Sequence, residues 1–326
     1  MTTSTTIWYR LSLIAWSACL FALLASTGCR TRPLESLDLV EPDLAVPPDL
    51  TVPPDFAPPA DLFVPPDFTP PPDLTRPKYC NGIYTFEDNN RFAFFDPLKS
   101  TFTPIAVLNC AQGQSPFSMG VGQDGTAWVE YTTSNIASPV NLFRVDTTTG
   151  QCTPTAFKSA NGSFGHFGMG FASDGPGAAT ETLYLGGYDF AVPAMFPPML
   201  GRLDLKSMVI TPIGMMPGRS ELTGTGGGEL WAFFADDKPH VGRLDKVTAK
   251  VNPDFPLGQL GDLSGAAFAF AAFGGDFYAF VSFGAANSTV YRVHEADGAL
   301  SVAVQDANRI IVGAGVSTCA PTGLDN

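Results

Sequence analysis

The feature that most constrains the fold of this chain is a repeat of about fifty residues, present in five copies. Each copy has an aromatic residue just after a turn, at Tyr84, Trp128, Tyr184, Trp231 and Tyr278. Each then has a short apolar run that ends in a polar side chain, at Asp96, Asp146, Asp204, Asp245 and His294. Successive members of this second set are 50, 58, 41 and 49 residues apart. Repeats of this length indicate propeller blades or another stacked array.

The residues between these marks predict β-strands. The apolar runs are short and rich in aromatic and β-branched side chains, and Gly, Asn and Asp interrupt them, which is typical of strands joined by tight turns. A proline stands eight residues after each of the four aspartates, at Pro104, Pro154, Pro212 and Pro253. The aspartates themselves lie where a strand enters a turn, so we interpret them as acceptors for backbone N–H groups.

A Gly-rich apolar segment precedes the aromatic strand in copies two to five and ends at Gly125, Gly175, Gly228 and Gly275. We interpret each segment as the innermost strand of a blade, because Gly allows backbones to approach closely near a propeller axis. The first copy lacks such a segment, but residues 310–321 have its character with no aromatic strand after them. The sequence therefore predicts an all-β fold, a five-bladed β-propeller in which the C-terminal strand closes the first blade.

The period and pattern of residues 80–321 resemble those of kelch-like, WD-repeat-like and gluconolactonase-like propeller families. The Gly-His and Trp-Asp signatures of WD repeats, the regular kelch signature and the lactonase-like metal-ligand pattern do not recur from repeat to repeat. The resemblance implies the fold, and it carries over no functional residue.

Residues 1–28 have the composition of a signal peptide. A single Arg10 precedes the apolar run LSLIAWSACLFALLAS, which is short for a membrane span. Gly28 before Cys29 resembles the lipobox of bacterial lipoproteins, with Ser26 where that family prefers Leu. This resemblance implies cleavage before Cys29, lipid attachment to it, and a lipid-anchored protein of the cell envelope. Since Arg30 is not the Asp associated with inner-membrane retention, we expect the outer membrane; simple secretion is the alternative.

Residues 29–79 form a Pro-rich acidic tract. Its aspartates recur every six residues, at Asp43, Asp49, Asp55, Asp61, Asp67 and Asp73. A polyproline II helix has three residues per turn, so this period places all six on one edge. At about 3.1 Å per residue its low-complexity part, residues 41–77, would extend on the order of 110 Å. We interpret it as a disordered or semi-rigid stalk that carries the propeller, residues 80–326, away from the membrane.

The formal net charge is −13, with 31 acidic and 18 basic side chains. An acidic chain without a basic stripe is a poor partner for nucleic acid, so that function class is excluded.

Four cysteines lie beyond the signal and the anchor, and four allow three pairings. The repeat alignment favours Cys80 with Cys319, because these residues flank the hairpin that the chain does not connect. It favours Cys110 with Cys152 as the other pair. There is no C-x-x-C and no His cluster near them, so we predict disulfides rather than a metal site.

The predicted inner strands offer little for catalysis. Only His166 and Glu221 on them are suited to proton transfer, and a glycosidase needs two carboxylates. We therefore predict no catalytic residue, no metal and no cofactor. A pair of carboxylates or an ion in the central pit would instead favour an enzyme.

Residues 187–200 and 214–221 are neighbouring segments that we expect on the face of the propeller around the central pit. Both are rich in Met and Phe, which are adaptable contact residues. The candidate binding residues are Phe190, Met195, Phe196, Met199, Met215 and Met216. The alternative is that the longer loop folds down over its own blades.

Three functions follow from these observations. The first is a lipid-anchored envelope protein, acting as a monomer, whose propeller binds a protein or glycan. The alternative is an envelope hydrolase or lactonase acting in the pit, and the third is a structural spacer of the envelope.

The anchor gives the first test. Replacing Cys29 by Ser should abolish labelling by a palmitate analogue and release or mis-sort the protein, because the acceptor thiol is lost. Arg30→Ser is the control and should keep the label. Unchanged labelling of the Cys29→Ser variant would contradict the lipoprotein prediction.

Overall fold

The computed structural model describes residues 76–133, 140–158, 162–190 and 193–323. The predicted signal peptide, Cys29 and the stalk up to residue 75 lie outside the described residues. Within the described ranges the chain forms five four-stranded antiparallel sheets arranged in a ring. The all-β, five-bladed propeller predicted from the repeat is confirmed.

The strands are β1 (Ile83–Glu87), β2 (Arg91–Asp96), β3 (Thr101–Val107), β4 (Ser115–Val121), β5 (Thr126–Thr132), β6 (Asn141–Asp146), β7 (Cys152–Pro154), β8 (His166–Ser173), β9 (Glu181–Tyr188), β10 (Met199–Asp204), β11 (Val209–Met215), β12 (Ser220–Gly224), β13 (Leu230–Phe234), β14 (His240–Leu244), β15 (Val251–Pro256), β16 (Ala266–Phe273), β17 (Asp276–Phe283), β18 (Thr289–His294), β19 (Leu300–Val304) and β20 (Ile311–Gly315). From the central channel outwards, blade 1 is β20, β1, β2 and β3. Blades 2 to 5 are β4–β7, β8–β11, β12–β15 and β16–β19, each also given from the innermost strand outwards.

Short 3-10 helices span Lys78–Cys80 and Gly258–Leu260. Among the described residues, no helix is both long and apolar enough to cross a membrane.

Blade 1 is closed by the two ends of the domain, as predicted. The C-terminal β20 pairs antiparallel with β1, with Thr85 opposite Ala314. A buried ion pair between Arg309 and Glu87 (2.9 Å) lies beside this seam. The guanidinium of Arg309 also lies 4.4 Å from the ring centroid of Phe102. Backbone hydrogen bonds between β20 and β1, the Arg309–Glu87 ion pair and a cation–π contact therefore stabilise the closure of blade 1.

Both predicted disulfides are confirmed. Cys80 is bonded to Cys319 across a sequence separation of 239 residues. Cys110 is bonded to Cys152, which joins the connection after blade 1 to the outermost strand of blade 2. In the chain-entropy estimate, a crosslink as long as the first stabilises the fold by up to about 5 kcal/mol.

The repeated aspartates cap the turns between the third and fourth strands. Asp245 Oδ1 accepts hydrogen bonds from the N–H groups of Val247 (3.0 Å) and Thr248 (2.7 Å). The other three copies accept the same pair of bonds. In the fifth copy His294 Nδ1 accepts from the N–H of Ala296 (3.1 Å). The His therefore replaces Asp as an acceptor. The prediction that these repeated residues accept hydrogen bonds from backbone N–H groups in the turns is confirmed.

The repeated prolines lie on the outermost strands, β3, β7, β11 and β15. Pro104 is opposite Ala93 and Pro212 is opposite Gly201, and each lies next to a shift in register. Proline cannot donate to a ladder and is tolerated at sheet edges and bulges. The third repeated mark therefore identifies the edge of each of these blades.

The core lies between neighbouring blades, where sheets pack face to face. Between blades 4 and 5, Trp231 and Phe233 on β13 pack against Phe270 and Phe277. The ring centroids of Trp231 and Phe277 are 4.7 Å apart, and those of Phe233 and Phe270 are 5.7 Å apart. The repeated aromatic residue of the second strand thus fills the space between two blades.

The inner strands approach one another at glycines. A Cβ on Gly168 of β8 would overlap the carbonyl oxygen of Ser220 at the start of β12. A Cβ on Gly170 would lie 2.6 Å from the carbonyl oxygen of Leu222. These contacts are with backbone, which has no room to retreat, so the glycines set the distance between blades 3 and 4.

This close approach predicts a sharp contrast between two glycine substitutions. Gly168→Ala should lower the melting temperature by several degrees, because overpacking against backbone costs about 1–3 kcal/mol. Gly175→Ala is the matched control, since a Cβ there has no atom within 4 Å and should be nearly neutral. Equal melting temperatures for the two variants, measured by calorimetry, would contradict this account of the blade spacing.

Candidate functional site

A pit opens at the end of the channel where each inner strand begins, which we call the top face. All five blades contribute to its lining: Val312 from blade 1, Phe117 from blade 2, Tyr188 and Phe190 from blade 3, Arg219 and Glu221 from blade 4, and Phe268 from blade 5. The cavity has a volume of ≈ 110 Å³. Sites for whole small molecules are usually about 300–1,000 Å³. The pit therefore suits one end or one group of a ligand.

Aromatic rings form much of its wall. The ring of Phe190 meets those of His166 and Tyr188 edge-on, each at 4.9 Å between centroids. Phe117 lies 6.3 Å from Phe190 and 5.4 Å from His166. Phe190 is 40% exposed, so it presents this cluster to solvent. The rings of His166 and Tyr188 are thus buried, and solvent reaches the wall at Phe190.

His166 supports the wall and does not face solvent. Its Nε2 is 3.0 Å from the hydroxyl of Thr132. Burial lowers the pKa of His166, and the negative charge of Asp189 partly opposes this shift. The imidazole is therefore neutral at pH 7. In this form its ring packs against Phe190 and Phe117 as another aromatic surface.

Arg219 brings the positive charge to the pit. Its guanidinium carbon lies 5.0 Å from the ring centroid of Phe268, 5.9 Å from Phe190 and 6.0 Å from Tyr188. Its Nη2 donates to the carbonyl oxygens of Ser264 (3.1 Å) and Ala235 (3.5 Å). In the described ranges, no ion pair joins it to a carboxylate. Two tethers and three rings hold this cation in place.

Two carboxyl groups lie beneath the pit. Glu221 is 3% exposed and accepts a hydrogen bond from the hydroxyl of Ser118 (2.8 Å). That hydroxyl in turn accepts from the N–H of Met169 on β8 (3.1 Å). Glu130, on β5, is opposite Ser118 in the ladder and is 0% exposed. Neither of its carboxyl oxygens has a hydrogen-bond partner of good geometry.

Burial favours the neutral form of both carboxyls. Burial raises the pKa of Glu130 well above its ordinary range, the negative charge of Glu221 raises it further, and the N–H of Phe167 partly offsets the two. Burial also raises the pKa of Glu221 well above its ordinary range, against the hydrogen bonds from Ser118 and Met169 and the charge of Arg219. Among the described residues, neither carboxyl forms an ion pair with Arg219.

This pair bears on the enzyme hypothesis. Glycoside hydrolysis needs two carboxyls that flank the scissile bond, about 5–10 Å apart. Glu221 lines the pit, but Glu130 does not, because it lies behind Ser118. No group of three or more His, Cys, Asp or Glu in the described residues is arranged to hold a metal. Among the described residues, the pit therefore presents one carboxyl, that of Glu221.

The sequence analysis placed Glu221 and His166 on inner strands, and both are there. It missed Glu130, because that residue lies on the second strand of its blade. One signal identifies it: a single acid in the apolar run AWVEY, since charged residues are almost never fully buried without a partner. It also missed Arg219 and Phe268, which no local pattern distinguishes.

The six candidate binding residues do not form one exposed patch. Phe190 belongs to the pit wall, and Met195 and Met215 are exposed at 70% and 71%. The partly buried Phe196 packs over Gly162. Met199 is partly buried against the core of blade 3 and lies opposite Met215 in the β10–β11 ladder. Met216 is buried in the core. A binding role for these residues stays a prediction.

No protein-family model and no curated protein matches the sequence. Among solved structures, TolB from Acinetobacter baumannii is similar with a TM-score of 0.41 and 15% identity over 71% of this chain. The chain spans 55% of that TolB chain. A gluconolactonase from Xanthomonas campestris has a TM-score of 0.39 and 13% identity, over 67% of this chain and 71% of its own. The allergen Mala s 1 of Malassezia sympodialis has a TM-score of 0.41 and 11% identity, over 70% and 77%. At this level of similarity no ligand, reaction or residue role carries over.

The buried carboxyl of Glu130 predicts a pH-dependent stability. Because its pKa is raised in the folded state, folding keeps a proton that the unfolded chain releases above about pH 4.3, so stability falls as pH rises beyond that value. Glu130→Gln cannot ionise, so it should melt at a higher temperature than the parent at pH 8, and the gain should shrink at pH 4.

The control for this pH series is Asp237→Asn, which removes a carboxyl from an exposed loop. It should leave the difference between pH 4 and pH 8 unchanged. If Glu130→Gln melts lower than the parent at both pH values, the carboxyl has a partner at neutral pH and its assignment as a neutral buried group is wrong.

Proposed function

We propose that this protein is a binding module of the cell envelope. It is attached by lipid at Cys29 and carried on the acidic stalk of residues 29–79, and its propeller takes one end of a glycan or protein ligand into the top-face pit. One observation carries the proposal: all five blades line the pit, and aromatic rings from three of them surround an arginine held by two hydrogen bonds. Such a site combines apolar surface with a few oriented polar groups, as ligand sites do.

The lining supports binding at a fixed geometry. Phe117 and Phe268 lie on inner strands, and Arg219 is tied to two carbonyl oxygens, so these groups need little ordering when a ligand arrives. Preorganised side chains lose less conformational entropy on association. The small volume limits the ligand to one inserted group, and the rest of the ligand lies over the top face.

A hydrolase or lactonase is the second candidate, and the carboxyl pair of Glu130 and Glu221 is the observation that favours it. The same observation weakens it, because Ser118 occupies the hydrogen-bonding position of Glu221 and only one carboxyl reaches the pit. Binding therefore needs no rearrangement of the described residues, whereas hydrolysis does.

Phe190 provides the test of the proposed function. The full-length protein in detergent is applied to a glycan array and, in parallel, to a mildly crosslinked envelope extract. Phe190→Ser should lose at least about tenfold in binding, since it removes the exposed ring of the wall and costs about 1.5 kcal/mol or more. Phe283→Ser is the matched control, because Phe283 is 50% exposed and does not line the pit.

Three outcomes decide between the candidates. Loss for Phe190→Ser alone supports binding in the pit. Equal binding by both variants means that the ligand does not use the pit, and the proposal is then wrong. Release of cleaved products from the array, abolished by Glu221→Gln, would establish the hydrolase instead.

A further inference from the structure

The charge of Arg219 has no partner in the part of the chain that the structure describes. Only its Nη2 is used, by the carbonyl oxygens of Ser264 and Ala235. These bonds orient the guanidinium, while Nε and Nη1 have no hydrogen-bond partner among the described residues. The ring centroids of Phe190 and Phe268 lie within 6 Å of the guanidinium carbon, and the side chain is partly buried. Charged groups that are partly removed from water are normally paired.

The other lining residues do not provide that pair. Glu221 is the only acid in the lining; its carboxyl accepts a hydrogen bond from Ser118 and, in the described ranges, forms no ion pair with Arg219. Burial raises its pKa, which favours the uncharged form. The remaining lining residues are apolar or aromatic. The group that would complete this site is therefore a single negative charge, within hydrogen-bonding distance of the Arg219 guanidinium. A guanidinium matches a carboxylate in that geometry with two parallel hydrogen bonds.

We infer that the pit recognises the carboxylate of an acidic sugar at the end of a glycan chain. The carboxylate lies on Arg219, and the sugar ring lies among Phe117, Phe190 and Phe268. This inference rests on the proposed function and specifies the chemistry of its ligand.

A sugar fits the pit better than a peptide end does. Peptide carboxylates are commonly captured by backbone N–H groups. Here the inner-strand N–H of Met169, beside Glu221, is already used, since it donates to Ser118. What remains available is one guanidinium and three rings, and rings suit the flat faces of a pyranose.

The proposed ligand has a single carboxylate, on its terminal sugar, and is not a polyanion. The protein has a formal net charge of −13, which repels polyanions at long range. The pit volume of ≈ 110 Å³ holds a carboxylate and part of one ring. A terminal uronic acid on an otherwise neutral chain meets both limits.

Three small ligands that differ only at one carbon test this inference. Methyl β-glucuronoside, its methyl ester and methyl β-glucoside are each titrated into the full-length protein in detergent, with binding followed by calorimetry or ligand-observed NMR. The glucuronoside should bind with a Kd of about 1 mM. The ester and the glucoside should bind at least about tenfold more weakly, because each lacks the charge-assisted pair of hydrogen bonds.

Variants assign the effect to the arginine. Arg219→Gln should abolish the preference for the glucuronoside, and Arg219→Lys should keep part of it, because it retains the charge without the fork. Arg202→Gln is the control, since Arg202 is exposed on β10 and does not line the pit. Melting temperatures of all three variants show whether each remains folded, and Arg219→Lys keeps the test valid if Arg219→Gln does not.

The outcomes separate this inference from the proposed function. If all three sugars bind equally and Phe190→Ser weakens them, the pit binds glycans and the carboxylate inference is wrong. If a tripeptide with a free C-terminal carboxylate binds and the glucuronoside does not, the ligand is a protein end and this inference is also wrong. If no sugar or peptide binds and Phe190→Ser changes nothing in the array or the extract, the proposed function itself fails.

Discussion

The structure depends on how closely five inner strands approach around one channel. Each inner strand has a ladder partner on only one edge, and its other edge faces the strands of neighbouring blades. Glycines such as Gly168 and Gly170 allow backbone to meet backbone there. Close approach also removes water from N–H groups on the free edge, and a buried N–H without a partner costs about 1–3 kcal/mol.

Side chains from neighbouring blades supply those partners. Ser118 of blade 2 accepts from Met169 of blade 3, and Thr223 of blade 4 accepts from Ala272 of blade 5. At the other end of the channel, Glu181 accepts from the N–H of Gln123 (2.6 Å) and from the hydroxyl of Thr318 (2.8 Å). The polar groups of the channel thus join the blades as well as line it, and this is the structural reason for an acid at Glu221. Glu130 is the exception, because neither of its buried carboxyl oxygens has a hydrogen bond of good geometry and only the nearby N–H of Phe167 favours its charged form.

The two ends of the channel differ, and we propose the upper end, at the top face, as the place for a ligand. At the lower end of the channel the C-terminal segment lies against the blades, where Pro321 accepts from the N–H of Gly274 and Cys319 is bonded to Cys80. At the upper end aromatic residues from blades 2, 3 and 5 line the pit together with Arg219. The closure of the ring and the opening of the pit are therefore at opposite ends of one channel.

The sequence by itself determined the repeat, the number of blades, the strand that closes the ring and both disulfides. These follow from local regularities, since turn acceptors such as Asp245, edge prolines such as Pro212 and axial glycines recur wherever the backbone has the same conformation. The pit and the buried carboxyl pair were decided only by the tertiary structure. Phe117, Arg219 and Phe268 are distant in sequence and come from three different blades. Glu130 lies near Glu221 because Ser118, its ladder partner in blade 2, is hydrogen-bonded to Glu221 of blade 4. Closing the ring brings them together, and a repeat pattern, which records what the blades share, contains no information about residues that differ from blade to blade.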